Sequence, residues 1–491
     1  MTRTLNWRHS SRLVATAAAL VAAAGALLVA GAPAGPRPVT FHPLVSDAQW
    51  VAAGETPPTQ AACVAINRRC FTPGAEQRSY NLTALFSQGH LGQGETIAVV
   101  DAFGSETMAH DLRVFDTAFG LPHLCGEEGM ESGCPAGTPT FSQLRQGAVG
   151  TDPQPPNQGT GQEDHSGWAL ETALDVEWAH AMAPMANILL VTTPTAETLG
   201  VQGFPDFMNA EKQVVDQHLA SVISQSFGSA EEAFGSPRSL LNLRDAFQAA
   251  QASHVTVLAS TGDSGSAGFR KEPVKNPALI PDPAVQWPAS DPLVTAVGGT
   301  YECVDAATGT TVDSASPPVN CGAFPGQREV GWIDSGGGFS KVFPAQTFQA
   351  ALPPGSTPGN GMRAIPDVAL QASARTGVLI YSTNPNITTN VGDLGWIVIG
   401  GTSCSSPEWA GIVAVADEVA GHPLGYVTPA LYAVASDPAK YAADFFDVTT
   451  GNNQAVSTVA GFAATRGWDP VTGLGTPNAA KLIPDLIAAS R

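Results

Sequence analysis

Charged residues are scarce in this chain, and basic residues are the scarcest. Only 13% of the 491 residues are charged, with 23 Lys and Arg against 43 Asp and Glu, giving a net charge of -20. A surface this acidic argues against nucleic acid as a partner and suits acidic surroundings, where carboxylates become neutral and repel one another less. The low charge and the 43% hydrophobic content also exclude wholesale disorder.

Long hydrophobic runs are almost absent. The single run covers residues 13–32, follows Arg3, Arg8 and Arg12, and closes with the small residues Ala30-Gly31-Ala32. We predict that residues 1–32 are a cleaved secretory signal and that the protein is secreted. An uncleaved anchor is the alternative, since the run is nearly long enough to span a membrane. No comparable run follows, so we expect no membrane contact after signal removal, and a monomer.

The cysteines offer no metal-binding pattern. There is no CxxC motif and no His/Cys cluster of the kind that binds zinc. Six of the seven cysteines form near neighbours, which in an exported chain predicts disulfides that staple loops. These pairs are Cys63 with Cys70, Cys125 with Cys134, and Cys303 with Cys321. Cys404 is left over; it is either a catalytic thiol or a small buried residue, and we predict the latter because no His-bearing motif accompanies it.

Apolar runs alternate with helical patterns over most of the chain. Strand-like runs occur at 96–100, 188–191, 222–223, 255–258, 294–297, 378–381 and 396–399, and helix-like stretches at 107–119, 168–182, 207–219 and 239–252. This alternation predicts an α/β fold with a mostly parallel central sheet and helices on both faces. Active groups in such folds gather at the carboxyl ends of the strands. Residues 33–78 are predicted to be a leader or linker, and residues 79–491 the main domain.

The stretch from 399 to 407 links a strand to a helix. The strand-like run ends at Gly400-Gly401, and Pro407 is expected in the first turn of the helix that follows. Ser403 therefore lies on a sharp turn, where free N–H groups of the helix start can meet a developing negative charge. Such a setting suits a nucleophilic serine, although a helix cap is an equally ordinary role for this sequence.

Two acidic residues share one helix face in the segment 168–182. Glu171 and Asp175 are four residues apart, with Leu170, Ala173 and Leu174 around them and no basic residue nearby. Two stacked carboxylates repel each other, which raises the pKa of the pair and favours a shared proton. The pair can thus serve as a base supported by a second carboxylate, the alternative being a solvated acidic face.

A third signal follows the strand-like run 254–258. Asp263 lies in the turn Ser260-Thr261-Gly262-Asp263-Ser264-Gly265 at the end of that strand. An Asp in such a turn usually bonds the local backbone. The functional alternative is a protonated carboxyl that donates a hydrogen bond to an oxyanion.

Taken together, these motifs resemble the sedolisins, the serine-carboxyl peptidases, whose fold is related to that of the subtilisins. Gly401-Thr402-Ser403 with Pro407 is similar to the nucleophile motif of that family, Glu171 and Asp175 to its acidic pair, and Asp263 to its oxyanion aspartate. The resemblance extends from about Tyr80 to the carboxyl end. It implies a peptidase whose substrates are proteins or peptides, with Ser403 as nucleophile, Glu171 as base and Asp175 as its support.

The same resemblance implies one structural calcium ion. Residues 446–449 and 467–473 are similar to the two halves of the family's calcium site. By analogy, the ligands are the carboxylates of Asp447 and Asp469 and the carbonyl oxygens of Val448, Thr465 and Gly467. All-oxygen ligation on loops suits Ca²⁺.

Two other functions are compatible with the sequence. A strand-like run ends at Asp101, where a subtilisin has its triad aspartate, so an Asp101/His165/Ser403 peptidase acting near neutral pH is the first. The second is a catalytically silent, exported binding module. The complete set of Ser403, Glu171, Asp175 and Asp263 favours the serine-carboxyl peptidase. Family members typically carry a large prosegment, whereas residues 33–78 would allow only a reduced one.

Overall fold

The computed structural model describes residues 46–146, 165–197, 203–271, 277–306, 327–384 and 394–490, all within one folded unit. The predicted signal, the side chain of His165 and Cys321 lie outside the described residues. Among the helices described, none has both the length and the apolar character needed to cross a bilayer.

The strands carry the sheets on which the rest of the chain packs. They are β1 (Ser46–Ala52), β2 (Arg69–Phe71), β3 (Thr96–Ala102), β4 (Phe141–Arg145), β5 (Asn187–Thr193), β6 (Val222–Gln225), β7 (Ser229–Ala230), β8 (Thr256–Ser260), β9 (Phe269–Lys271), β10 (Pro277–Leu279), β11 (Gln286–Trp287), β12 (Thr295–Glu302), β13 (Glu329–Gly331), β14 (Gly338–Pro344), β15 (Met362–Ile365), β16 (Val368–Gln371), β17 (Thr376–Ser382), β18 (Gly395–Gly400), β19 (Phe445–Phe446) and β20 (Thr476–Pro477).

The helices cover these sheets or connect their strands. They are α1 (Gln60–Ala65), α2 (Pro73–Ser79), α3 (Thr83–Phe86), α4 (Met108–Phe119), α5 (His165–Met182), α6 (Phe204–Asp216), α7 (Pro237–Leu241), α8 (Asp245–Ala252), α9 (Thr402–Ala420), α10 (Thr428–Ala435), α11 (Pro438–Asp444) and α12 (Ala479–Ala489).

An eight-stranded sheet forms the centre of the fold. Its order is β13-β12-β8-β6-β3-β5-β4, with β16 also paired to β12, and every pairing is parallel except that of β12 with β13. Ile97 and Val99 of β3 face one core, whereas Ala98 and Val100 face the other. Helices α4, α5 and α9 cover the first face, and α6 and α8 cover the second. The predicted α/β class, with helices on both faces of a mostly parallel sheet, is confirmed.

The last two predicted strands belong to a different sheet. β17 and β18 run antiparallel in a four-stranded sheet of order β1-β18-β17-β2. The sequence placed them in the parallel sheet because both are continuous apolar runs. Such a run reports that a strand is buried on both faces and carries no information on its direction. Both strands are indeed buried along their whole length.

The described part of residues 33–78 packs against the domain. β1 pairs with β18, with Gln49 opposite Val398. Cys63 and Phe71 are fully buried in the core that α5 and α9 share. Whether this segment is a leader that is later removed stays a prediction.

Two of the three predicted disulfides are present. Cys63 bonds Cys70, and Cys125 bonds Cys134. Cys303 is also disulfide-bonded, and its predicted partner lies outside the described residues. Cys404 is a free thiol and is buried, as predicted.

Helices α5 and α9 approach each other closely. A Cβ placed on Gly411 of α9 would lie 2.6 Å from the Cβ of Met182 on α5. The absence of a side chain at Gly411 thus lets the two helices come together at this point. This contact matters because α5 carries Glu171 and Asp175, and α9 carries Ser403.

Candidate active site

Ser403 lies in the first turn of α9. Gly401 precedes the helix with φ of 127°, a conformation that residues with a side chain rarely adopt. Because Ser403 is so close to the helix start, its N–H has no acceptor within the helix. The side chain is buried, and Oγ has no hydrogen-bond partner among the described residues. The hydroxyl of Ser403 is therefore buried with its hydrogen-bonding capacity unused among these residues.

Pro407 lies deeper in the helix than the sequence predicted. The helix begins at Thr402, so Pro407 is inside it and not in its first turn. The prediction was wrong here because proline was taken to mark the start of the helix. Since Pro407 has no N–H, the carbonyl of Ser403 lacks its usual helical donor.

Glu171 and Asp175 are fully buried, one turn apart on α5. The Ser226 hydroxyl donates to Oδ1 of Asp175 at 2.9 Å. Neither carboxylate oxygen of Glu171 has a hydrogen-bond partner among the described residues. Burial first, and then the charges of Asp175 and Asp101, raise the pKa of Glu171 well above its ordinary value, while the Ser403 hydroxyl opposes the rise. Ser403 therefore faces Glu171 closely enough to interact, although the geometry is not yet that of a formed hydrogen bond.

A third buried carboxyl adjoins this pair. Asp101, at the carboxyl end of β3, is fully buried next to Asp175. Burial raises the pKa of Asp101 to about 7, against the opposing effect of the nearby Thr172 hydroxyl and Asp175 carboxyl. Burial and the charge of Asp101 likewise raise the pKa of Asp175 well above its ordinary value. Sequence reasoning considered Asp101 only as the aspartate of a His-containing triad and missed this contact; its place at a strand end was the available signal.

Asp263 follows β8 and is tied to the start of α9. Its Oδ1 accepts from the Thr402 N–H at 2.8 Å and from the Thr402 hydroxyl at 2.9 Å. The same hydroxyl oxygen accepts from the N–H of Gly262 at 2.9 Å. Thr402 thereby fixes Asp263 next to Ser403. No pattern in the sequence indicated this role for Thr402 separately.

The structure brings the four predicted catalytic residues together. Ser403, Asp175 and Asp263 all act on Glu171 electrostatically. The arrangement can pass a proton from a hydroxyl to a buried carboxyl, with a second carboxyl to share the charge and a third beside the nucleophile. His165 begins α5, and its side chain lies outside the described residues.

The predicted calcium ligands lie on neighbouring loops near the carboxyl end. Asp447 accepts from the N–H of Gly467 at 3.1 Å, and Asp469 accepts from the N–H of Thr465 at 2.9 Å. Asp469 is fully buried, and none of the described Lys, Arg or His residues forms an ion pair with it. Two carboxylates joined to one short turn, with the carbonyls of Val448, Thr465 and Gly467 nearby in sequence, form an all-oxygen donor set that fits Ca²⁺.

Comparison with known proteins gives the same family as the motifs. The sequence model of the subtilase family matches residues 154–431. Kumamolisin from Bacillus sp. (strain MN-32) is 34% identical over 345 residues, which cover 68% of this chain and 53% of kumamolisin. Human tripeptidyl-peptidase 1 is 28% identical over 346 residues, which cover 67% of this chain and 53% of that protein. The chain thus aligns with about half the length of these curated relatives.

A solved structure extends the comparison to the fold. Pseudomonas sedolisin, a serine-carboxyl proteinase solved with two molecules of pseudo-iodotyrostatin, superposes with a TM-score of 0.62 at 25% identity. The match covers 85% of this chain and 98% of that one. With its α/β architecture and its buried cluster of serine and carboxyl groups, this chain belongs to the sedolisins, within the subtilase family.

Proposed function

We propose that this protein is a secreted serine-carboxyl peptidase that hydrolyses peptide bonds in acid. The observation that carries the proposal is the burial of Glu171 against Ser403, with oxygens on both side chains that have no hydrogen-bond partner in the described part of the chain. A buried carboxyl and a buried hydroxyl without partners are costly to fold, so they are a signature of a functional site.

Proton transfer in this proposal begins with Glu171. Ser403 Oγ attacks the scissile carbonyl carbon, and Glu171 accepts the hydroxyl proton and later passes it to the leaving amine. Asp175, held by Ser226, orients Glu171 and shares its proton. Because burial and neighbouring carboxylates raise its pKa, Glu171 in its ionised form is a stronger base than an ordinary glutamate.

The oxyanion of the tetrahedral intermediate needs hydrogen-bond donors. The backbone N–H of Ser403, which has no acceptor within its helix, supplies one. Asp263 supplies the other if its carboxyl is protonated, since only a neutral carboxyl can donate. The rate should therefore fall at high pH, when the proton of Asp263 or that of the acidic pair is lost.

Calcium, substrates and localisation follow from family membership. We assign the calcium site to Asp447 and Asp469 through their carboxylates, and to Val448, Thr465 and Gly467 through their carbonyls. Bound there, the ion would supply positive charge between two carboxylates and hold their loops together. Substrates are proteins or peptides, and the predicted signal at residues 1–32 supports secretion.

The decisive test is peptide hydrolysis between about pH 3 and 8 by the wild type, Glu171→Gln and Ser403→Ala, each supplied with calcium. We expect acid-peaked activity that both substitutions abolish. Glu211→Gln is the matched control, because Glu211 is also buried without a hydrogen-bond partner among the described residues but lies on α6, on the other face of the sheet. Neutral activity that survives Glu171→Gln would make His165 the base. A folded wild type without activity at any pH would favour the binding module.

Two substrates would distinguish endopeptidase from tripeptidyl-peptidase action. One is an internally quenched peptide, and the other is a peptide with a free amino terminus and a reporter after its third residue. The relatives are named both kumamolisin and tripeptidyl-peptidase. Hydrolysis of the internally quenched peptide with no release of the reporter would assign endopeptidase action. The opposite result would assign tripeptidyl-peptidase action.

A further inference from the structure

A second group of carboxyl and imidazole side chains lies apart from those assigned above, where α4 ends. Asp116 is near the end of α4, and His123 and Glu127 are in the segment that follows. One potential ligand atom from each of the three residues lies within 4.8 Å of the others. Nδ1 of His123 is 2.6 Å from Oε2 of Glu127.

Asp116 is the unusual member of this group. It is fully buried, and neither of its carboxylate oxygens accepts a hydrogen bond from the described residues. Nε2 of His180 lies 3.3 Å from Oδ2 of Asp116, but that N–H donates to the carbonyl of Pro122 at 3.1 Å. A buried carboxylate without a donor is costly, so another species must compensate it.

The carboxyl of Glu127 lies next to that of Asp116, with one oxygen of each within 4.8 Å of the other. Two ionised carboxylates cannot hydrogen bond to each other, because neither has a proton to donate. Either one proton or a cation has to lie between them. The imidazole of His123 is the feature that distinguishes the two possibilities, since a nitrogen ligand next to two carboxylate oxygens is a typical donor set for a transition metal.

We propose that Asp116, His123 and Glu127 bind a divalent transition-metal ion, with Zn²⁺ the best fit. Ligand atoms about 2.0–2.1 Å from a tetrahedral zinc ion lie ~3.3 Å from one another. This separation falls between the 2.6 Å from His123 to Glu127 and the 4.8 Å limit of the cluster. The His123 side chain is 37% exposed, which gives the ion a route from solvent and leaves the fourth position to water. Calcium is disfavoured because it prefers oxygen ligands and a larger number of them.

The site would act as a staple. Its ligands join the end of α4 to the segment that carries the Cys125–Cys134 disulfide, and α4 packs against α5. His180 of α5 adjoins the same carboxylate. A metal here would therefore stabilise the packing against α5. It would take no part in a catalytic step. In the sequence, the only sign of this site is the four-residue spacing of His123 and Glu127. That spacing is not one of the usual His/Cys zinc patterns.

The test is zinc binding by the full chain at pH 7, with disulfides intact and calcium in excess to fill the proposed carboxyl-terminal site. Protein freed of metal with a chelator is titrated with Zn²⁺ alone by calorimetry, and bound zinc is counted after dialysis. We expect one equivalent in the wild type, with affinity reduced at least about tenfold in His123→Ala and Asp116→Asn.

His110→Ala is the matched control. His110 is also a partly exposed histidine next to a glutamate, with Nδ1 2.8 Å from Oε2 of Glu128, but it lies outside the cluster. The His110→Ala variant should bind zinc as the wild type does. His123 is partly exposed, so His123→Ala should fold even if Asp116→Asn does not. Absence of zinc binding in the wild type would mean that Asp116 and Glu127 share a proton only, and equal binding in His123→Ala would also overturn the proposal.

Discussion

Thr402 donates two hydrogen bonds to a single carboxylate oxygen of Asp263, one from its N–H at 2.8 Å and one from its hydroxyl at 2.9 Å. This contact joins the start of α9 to the turn after β8. It orients the proposed oxyanion carboxyl from the residue directly before the nucleophile. Thr402 is thus a positioning residue whose hydroxyl can be removed without touching the reacting groups.

Thr402→Val should lower kcat by about tenfold to a hundredfold with little change in KM, because a misplaced oxyanion donor weakens binding of the transition state more than that of the substrate. Steady-state kinetics at the acid optimum would measure this split. Thr402→Ser retains the hydroxyl and should keep most of the activity. Equal kcat in the wild type and Thr402→Val would show that the hydroxyl has no positioning role.

Asp101→Asn should move the alkaline limb of the pH profile of kcat/KM to lower pH. Asp101, with a pKa of about 7, becomes charged on that limb, and its charge is one of the causes that raise the pKa of Glu171, so its removal lets the acidic pair lose its shared proton at lower pH. Asp111→Asn is the control, since Asp111 is another buried carboxyl but bonds Thr383 instead of the acidic pair. An alkaline limb that stays in place or moves upward in Asp101→Asn would contradict the assignment.

The protein should lose stability between about pH 4.5 and 8. Burial raises the pKa of Glu302, Glu197 and Asp417 to about 8 each. Below the ordinary carboxyl pKa these groups are protonated in both the folded and the unfolded chain. As pH rises towards 8, the unfolded chain releases its protons first, so the free energy of unfolding falls, by more than about 1 kcal/mol. Urea denaturation at pH 4, 6 and 8 would measure the loss.

Glu408→Gln should reduce that loss. Glu408 is fully buried, and the charge of Glu302 adds to the burial that raises its pKa, so a neutral side chain there removes one of the charges that must be buried at high pH. Glu55→Gln, at an exposed position, should follow the wild type. A steeper fall in Glu408→Gln than in the wild type would refute this account of the cluster.

Asp469→Asn should abolish the stabilising effect of calcium. The wild type is expected to show a thermal midpoint that rises with added Ca²⁺ and falls with chelator, because an ion bound only to the folded state stabilises it. Asp282→Asn, a substitution at an exposed aspartate, should respond as the wild type does. A calcium response retained in Asp469→Asn would place the ion elsewhere.

Gly411→Ala should destabilise the protein by about 1–3 kcal/mol and lower kcat. The added methyl would lie 2.6 Å from Met182 and would push α5 and α9 apart, which separates Glu171 from Ser403. Thermal unfolding and kinetics would measure the two effects. Gly359→Ala is the control, since nothing lies within 4 Å of a Cβ at that position. Wild-type stability in Gly411→Ala would show that the helices can adjust without cost.

Sequence patterns were sufficient for the acidic pair and for five of the eight strands of the central sheet, namely β3, β5, β6, β8 and β12. A run of apolar residues is enough to predict a buried strand. The four-residue spacing of Glu171 and Asp175 is enough to place both on one face of a helix. The direction of β17 and β18 was not predictable in the same way, because two buried strands look alike whether they run parallel or antiparallel. Strand direction depends on chain connections that periodicity does not encode.

Contacts between distant residues were the other limit. The pairing of Thr402 with Asp263 joins positions that lie 139 residues apart, and that of Asp101 with Asp175 joins two different elements. Only the folded chain brings them together. For Pro407, the general rule that proline marks a helix start was overridden, since the residues before it already form the first turns of α9.

The pairing of β1 with β18 restricts where the chain can be trimmed. β18 ends directly before the turn that carries Ser403, and β1 covers one of its edges. A cut within residues 53–59 would leave β1 attached by non-covalent contacts alone, chiefly its ladder with β18 and the ion pair of Asp47 with Arg68. Its departure would expose an unpaired edge, which invites pairing with other chains. Proteolytic processing that preserves this sheet therefore has to fall before Ser46.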